Sequence, residues 1–267
     1  MRAHLVQTDI RWQDKQANFD RVLALLDPVD VGAGDLILLP EMFDTGFSME
    51  TGQTADKDGR TLAFLAELAA DFKAYVMGGR TVHACHCAKA SNTLSILSPA
   101  GTLVDEYQKI HPFSIGREHE AFAGGTRVVA LSLPESSLTI CPTICYDLRF
   151  PELFRAGLSR GAQVFSVHAC WLSTRHSHWR VLALARAIEN QAYVLAVNRT
   201  GSDPNATYLG GSIAVGPRGD VLGELGDTEG VLSVEIDGDE VRRWREKFPA
   251  VRDIRLPMAG TLPDRRE

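Results

Sequence analysis

"CPTICYDLRFPELFR", residues 141–155, reads as an apolar strand that ends at Cys145, a short charged turn, and a helix opened by Pro151. Proline suits a first helical turn, where its missing N–H would have no partner in any case. Extending the reading in both directions gives the same order of elements twice. In the first half, "AHLVQTDI" is a strand, and "NFDRVLALL" is a helix with Phe19, Val22, Leu23 and Leu26 at helical spacing. "DLILLP" is a buried strand, and "TLAFLAELAADF" is a helix presenting Phe64, Leu65, Leu68, Ala69 and Phe72. "YVMGGRTV" is a further strand, and "NTLSILSPAGTLVDEYQK" is a hairpin around Pro-Ala-Gly. In the second half, "SLTICPTIC" and "QVFSVHA" bracket the helix from Pro151, followed by the helix "WRVLALARAIENQ", the strand "YVLAVN" and the hairpin "GSIAVGPRGDVLGE". Strand–helix–strand–helix–strand–hairpin, twice, predicts an α/β fold of two pseudo-equivalent halves. Each half forms a mixed sheet, the sheets stack face to face, and the helices lie outside.

The 267 residues carry 45% hydrophobic and 23% charged side chains and a formal charge of −6. These values suit a globular protein and argue against nucleic acid or an anionic membrane surface as the partner. No segment reaches the apolar length of a membrane span, and "MRAHLVQTDI" lacks the pattern of a signal peptide. An odd count of five cysteines suits a reduced, cytoplasmic protein better than a disulfide framework. No linker divides the chain, so residues 1–267 are read as a single domain with a polar tail from about 248.

Chemistry in α/β folds gathers just past the carboxyl ends of strands. The polar residues in that position are Glu41, Lys109, Cys145, His168 and Asn198. A lone strand cysteine is more often a small buried hydrophobe than a nucleophile, and a useful thiol needs a base or a cation beside it. Glu41, at the rim of a buried sheet after four apolar residues and a proline, suits a general base or an arginine partner. Lys109 reads either as the solvated end of a hairpin or as a cation for a developing oxyanion. "HACHCA" holds His83, Cys85, His86 and Cys87, but their spacing matches no familiar zinc pattern, and no metal is expected.

With Glu41, Lys109 and Cys145 together, the sequence resembles the nitrilase superfamily of carbon–nitrogen hydrolases. The stretches that carry the resemblance are "LILLPEMFDTGF", "YQKIHPF", "ICYDLRFPELFR", "ARAIENQAYVLAVNRTG" and "GGSIAVGPRGDVLGE", in order from about residue 35 to about 225. The resemblance implies a four-layer αββα sandwich and a Glu41–Lys109–Cys145 triad that works without cofactor. It also implies a second glutamate in "REHEAF", with Glu118 preferred over Glu120. The Tyr146 N–H and Lys109 are expected to hold the oxyanion, and Tyr146, Trp171, Arg175 and His168 to line the substrate pocket. The short link to "GREHEAFAGG" and the segments around "NRTGSD" look most like the omega-amidase branch, which cleaves the terminal amide of 2-oxoglutaramate or 2-oxosuccinamate. The neighbours of Trp171 in "ACWLS" depart from the Asn-Trp-Pro common in that branch. Arg149, Arg175 and Arg199 are candidates for a substrate carboxylate, and Arg149 is equally open to pairing with Asp147 or Glu152. The family also implies a homodimer or larger homo-oligomer. Competing expectations are an N-carbamoyl amino acid or aliphatic amide hydrolase, a Cys–His enzyme using His111 or His168, and a catalytically silent binding protein.

Overall fold

The apolar run 36–39 and its counterpart in "VFSVHA" are fully buried, as strands covered on both faces must be. The computed structural model describes residues 1–83, 87–134 and 136–255. Its first half runs β1 (Arg2–Gln7), α1 (Lys15–Leu26), β2 (Leu36–Leu38), the single turn α2 (Thr51–Thr54), α3 (Arg60–Phe72), β3 (Tyr75–Val82), β4 (Ala90–Leu97) and β5 (Leu103–Gln108). A connecting segment carries α4 (Glu118–Ala121), β6 (Phe122–Ala123) and β7 (Leu131–Leu133). The second half runs β8 (Leu138–Ile144), α5 (Pro151–Ser159), β9 (Val164–Ala169), α6 (His176–Asn190) and β10 (Tyr193–Asn198). After it come a small hairpin of β11 (Thr200–Ser202) and β12 (Thr207–Leu209), then β13 (Ile213–Val215), β14 (Val221–Glu224), β15 (Gly230–Glu235) and α7 (Gly238–Lys247).

Among the described residues the strands form a seven-stranded sheet, β15-β1-β2-β3-β4-β5 with β6 beside β4, and a six-stranded sheet, β14-β13-β10-β9-β8-β7. The repetition read from the sequence is present in the pairing. β1, β2 and β3 are parallel and continue into the antiparallel β4 and β5, while β8, β9 and β10 are parallel and continue into the antiparallel β13 and β14. An antiparallel strand closes the remaining edge of each sheet, β15 against β1 and β7 against β8.

Three apolar clusters define the four layers. The central one joins Leu5, Leu38, Met77 and Ile96 of one sheet to Ile140, Ile144, Leu195 and Ala214 of the other. Phe19, Val22, Leu26, Leu65, Leu68 and Ala69 from α1 and α3 cover the outer face of the first sheet. Leu153, Phe154, Trp179, Ala183 and Ala187 from α5 and α6 cover the second. This is the αββα sandwich. Leu23 departs from its expected place and is 44% exposed, because α1 buries the narrower stripe of Phe19, Val22 and Leu26. Pro142 lies inside β8, a costly position in a fully paired strand. β7 pairs only as far as Ile140, so among the described residues Pro142 has no strand partner on that side.

The two sheets present the ends of β2, β5, β8 and β9 to one region, and close packing fixes the first of these. A Cβ on Gly79 of β3 would lie 2.7 Å from Met42 N and 2.9 Å from Glu41 Cα, both backbone atoms. Gly79→Ala is therefore expected to push the Glu41 segment outward. The expected result is a stability loss of about 1–3 kcal/mol by chemical denaturation, with a fall in activity larger than the unfolded fraction explains.

Candidate active site

Cys145 follows the end of β8 at φ +47°, a left-handed conformation rare outside glycine, and begins the tight turn Cys145–Arg149. Such a residue costs of order 1–3 kcal/mol and persists only where its surroundings hold it. The holding group is the buried carboxylate of Asp147. Its Oδ2 accepts from Ile144 N at 3.0 Å and from the Tyr107 hydroxyl at 2.6 Å. Its Oδ1 accepts from His111 N at 3.0 Å and from His111 Nδ1 at 2.7 Å. The His111 ring stacks on Phe150, with centroids 3.8 Å apart. The turn at Cys145 is thus tied to the chain on both sides of Lys109.

Beneath the thiol lies a buried ionic array. Glu41 Oε1 accepts from Lys109 Nζ at 2.7 Å and from Asn92 Nδ2 at 2.7 Å, and Oε2 accepts from Cys170 N at 2.9 Å. Lys109 Nζ also donates to Glu118 Oε2 at 2.8 Å, and that oxygen accepts from Phe113 N at 2.6 Å. Glu41 and Glu118 are fully buried and Lys109 is 1% exposed. Burial works against the Lys109 ammonium, but Glu118 and Glu41 outweigh it and hold its pKa well above the ordinary value. Burial and the neighbouring Glu41 push the Cys145 thiol up, with Lys109 only partly opposing them. The Cys145 thiol is therefore neutral at rest, and to act as a nucleophile it would need a base beside it.

The pocket above Cys145 is walled by Phe47, Phe113, Tyr146, Cys170, Trp171 and Leu172, with Arg149 and Arg175 at its polar side. The Arg149 guanidinium lies 4.7 Å from the Trp171 ring centroid, and that of Arg175 lies 5.2 Å from the Phe113 ring. Among the described residues neither arginine forms an ion pair with a carboxylate, and Arg149 Nη1 lies 3.2 Å from His178 Nδ1. Burial lowers the Arg149 pKa, and the neighbouring Arg175 adds to the effect. Two cations with no carboxylate counter-ion among the described residues share one apolar cleft.

The structure brings Glu41, Lys109, Cys145 and Glu118 together, with Tyr146, Trp171 and Arg175 around them. It also separates the two candidate glutamates, because Glu120 is exposed and pairs with Arg117 at 2.8 Å. His168 is not in the pocket wall. It is fully buried, with Nδ1 donating to Leu39 O at 2.6 Å and Nε2 3.0 Å from Ser166 Oγ. The ring ties β9 to the segment leading to Glu41. Burial outweighs its bond to Leu39 O and lowers its pKa from 6.5 to about 4, so it is neutral. Arg199 is also buried away from the pocket, bound to Ile10 O and Thr200 O and lying over the Tyr208 ring. Asn198 supports the pocket indirectly, since its Oδ1 accepts from Trp171 N at 2.7 Å. Asp147 braces the Cys145 turn without Arg149, which faces Trp171 instead. Of the "HACHCA" cluster, Cys85 and His86 lie outside the described residues. Among the described residues no group of three or more His, Cys, Asp or Glu side chains is placed to hold a metal.

The reading from sequence alone missed Asn92 and Cys170. Asn92 carried a signal, an asparagine within the alternating strand "SNTLSIL", where that residue type is disfavoured. Cys170 acts on Glu41 through its backbone N–H, which no residue type announces.

A family model described as carbon-nitrogen hydrolase matches residues 2–246. The chain is 33% identical over 260 residues to a Staphylococcus aureus protein named hydrolase in agr operon, covering 97% of this chain and 99% of that protein. It is 34% identical over 252 residues to the 2-oxoglutaramate amidase of Bacillus subtilis, covering 94% and 96%. Among solved structures, a CN-hydrolase superfamily protein from Xanthomonas campestris, with an arsenic adduct in its active site, superposes with a TM-score of 0.90. That protein is 35% identical, over 96% of this chain and 98% of its own.

The neutral His168 predicts a pH effect of definite sign. The unfolded chain protonates this residue near 6.5 and the folded one only near 4, so the unfolded state binds more protons between these values. Stability from this group is present above about pH 6.5 and is lost as pH falls towards 4, by at most about 3 kcal/mol. Asp44, pushed up to about 6 chiefly by burial, contributes a slope of the opposite sign over part of that window. Denaturation of wild type and His168→Gln at pH 7.5 and 4.5 isolates the histidine, and the wild type is expected to lose more stability than the variant.

Proposed function

The chain belongs to the carbon–nitrogen hydrolase family, and from that premise we propose that it is an omega-amidase, releasing ammonia from the terminal amide of 2-oxoglutaramate or 2-oxosuccinamate. The observation that carries this reading is the pairing of the Glu41–Lys109–Glu118 array under a neutral thiol with two unpaired arginines across the same small pocket. The array supports amide hydrolysis, and the arginines support a substrate bearing a carboxylate at its far end.

The steps follow from the geometry. Glu41 takes the thiol proton as Cys145 Sγ attacks the amide carbon. Charge developing on the amide oxygen is met by Lys109 Nζ and by the N–H of Tyr146, the residue after the left-handed Cys145. Glu41 returns the proton to the departing nitrogen, ammonia leaves, and a thioester remains on Cys145. Glu41 then takes a proton from water as hydroxide adds to the thioester carbon, and collapse expels the sulfur, which takes that proton back from Glu41, freeing the acid and restoring the thiol. Glu118 holds Lys109 in place and balances its charge throughout. The Cys–His alternative has little support, since His168 has both ring nitrogens engaged and His111 Nδ1 is held by Asp147.

The named activity of the Bacillus subtilis relative supports the choice of substrate. We further propose that residues 1–267 form one domain acting in the cytoplasm as a homodimer. The free thiols Cys87, Cys141, Cys145 and Cys170 support a reducing compartment. The exposed Val181 (63%) and Ile188 (55%) on the outer face of α6 support a partner copy there.

Ammonia release from a panel of 2-oxo acid ω-amides, carbamoyl amino acids, simple amides and nitriles tests the assignment. The ω-amides are expected to give the highest kcat/KM; a preference for carbamoyl amino acids would move the protein to the neighbouring activity. Cys145→Ala is expected to reduce turnover to background, and Glu41→Gln to lower kcat by about 10²–10⁴-fold. Arg175→Ala is expected to raise KM about 10- to 100-fold for the carboxylated substrate, with little change for an uncharged amide.

A further inference from the structure

Asn92 lies in β4, where its main-chain carbonyl accepts from Lys109 N at 2.9 Å. Its side-chain Nδ2 donates to Glu41 Oε1 at 2.7 Å and to Glu118 Oε1 at 2.9 Å. Lys109 Nζ donates to the same two oxygens, at 2.7 and 3.1 Å. Two carboxylate oxygens from distant parts of the chain are thereby closed into a ring by two donors, one charged and one neutral. Each of the four residues is at most 1% exposed. Asn92 Oδ1 has no hydrogen-bond partner among the described residues. The amide is therefore oriented by the carboxylates alone, and a flipped amide would set oxygen against oxygen at both contacts.

The charges explain why a second donor is needed. Two buried carboxylates facing one ammonium leave a net charge of −1, and like charges that close in a poorly solvated site favour protonation of one of them. The titratable groups facing Glu41 among the described residues are Lys109, Glu118, Cys145 and Cys170. Only Lys109 among these is cationic, and it is shared. We propose that Asn92 is a positioning residue whose amide clamps Glu41 and Glu118 together and holds the Glu41 carboxylate in place as the base. It does so without touching substrate. The proposal rests on the reading of Glu41 as the base that deprotonates Cys145.

The test is the pH dependence of kcat and kcat/KM for ammonia release from 2-oxoglutaramate by Asn92→Leu, which keeps the volume and removes the donor, and by Asn92→Ser, which keeps one small donor. With the clamp lost, the two buried carboxylates face each other with one donor fewer between them. The acid limb of Asn92→Leu is expected to move up by about one pH unit, and kcat at neutral pH to fall about 10- to 100-fold, with KM within about threefold of wild type. Asn92→Ser is expected to lie between the two, and it carries the test alone if Asn92→Leu does not fold. An acid limb that coincides with wild type, or a loss confined to KM, overturns the proposal, because a merely structural asparagine lowers the rate without moving the limb. Glu41→Gln in the same assay separates the two readings. If it retains most activity, the assignment of Glu41 fails and this proposal fails with it. If it is inactive while the Asn92 profiles are unshifted, the role of Asn92 alone is wrong.

Discussion

The shared ammonium of Lys109 is the constraint on which the rest of the site depends. Three ionisable groups at most 1% exposed meet at one nitrogen, with contacts of 2.7 Å to Glu41 and 2.8 Å to Glu118. Removing Lys109 leaves two buried carboxylates without a counter-charge, a loss of about 3–5 kcal/mol in comparable buried pairs. Such an array is weak as a source of stability but strong as a means of fixing geometry. It requires the end of β2, the end of β5 and the start of α4 to arrive at one point, and the four-layer packing delivers them there.

Each group reaches that point by a different local device. Glu41 is carried past β2 by a segment packed against Gly79 and tied to β9 by the His168 ring. Cys145 is lifted off the end of β8 in a strained turn held by Asp147, whose other bonds reach Tyr107 and His111 on either side of Lys109. The brace on the nucleophile and the cation of the array are therefore coupled through the stretch 107–111. The pocket arginines differ in kind. Among the described residues they lie over aromatic faces and pair with no carboxylate.

Much of this was legible in the chain. The double strand–helix repeat was readable because buried parallel strands appear as short apolar runs and helices as spaced stripes, and the pairing follows the same order in both halves. Glu41, Lys109 and Cys145 stood out as polar residues at strand ends, and the family resemblance joined them. What was not legible was the partnership of buried polar groups. His168 and Arg199 occupy the same kind of position as Glu41, yet both point into packed protein, and only three-dimensional neighbours distinguish them. Glu118 and Glu120 are two residues apart, and the turn of α4 alone decides which is buried. Asn92 is unusual by type within its strand, but nothing in its own stretch of sequence points to the two distant carboxylates it binds.

The central claim is that Cys145 carries the acyl group between loss of ammonia and attack of water. The most direct measurement is the mass of the peptide containing residues 141–155 after rapid acid quench of the enzyme turning over 2-oxoglutaramate. The expected result is a transient gain equal to the substrate less ammonia, located on Cys145 and absent from Cys145→Ala. Turnover with no adduct on that peptide, or an adduct on Cys170 in its place, would contradict the account.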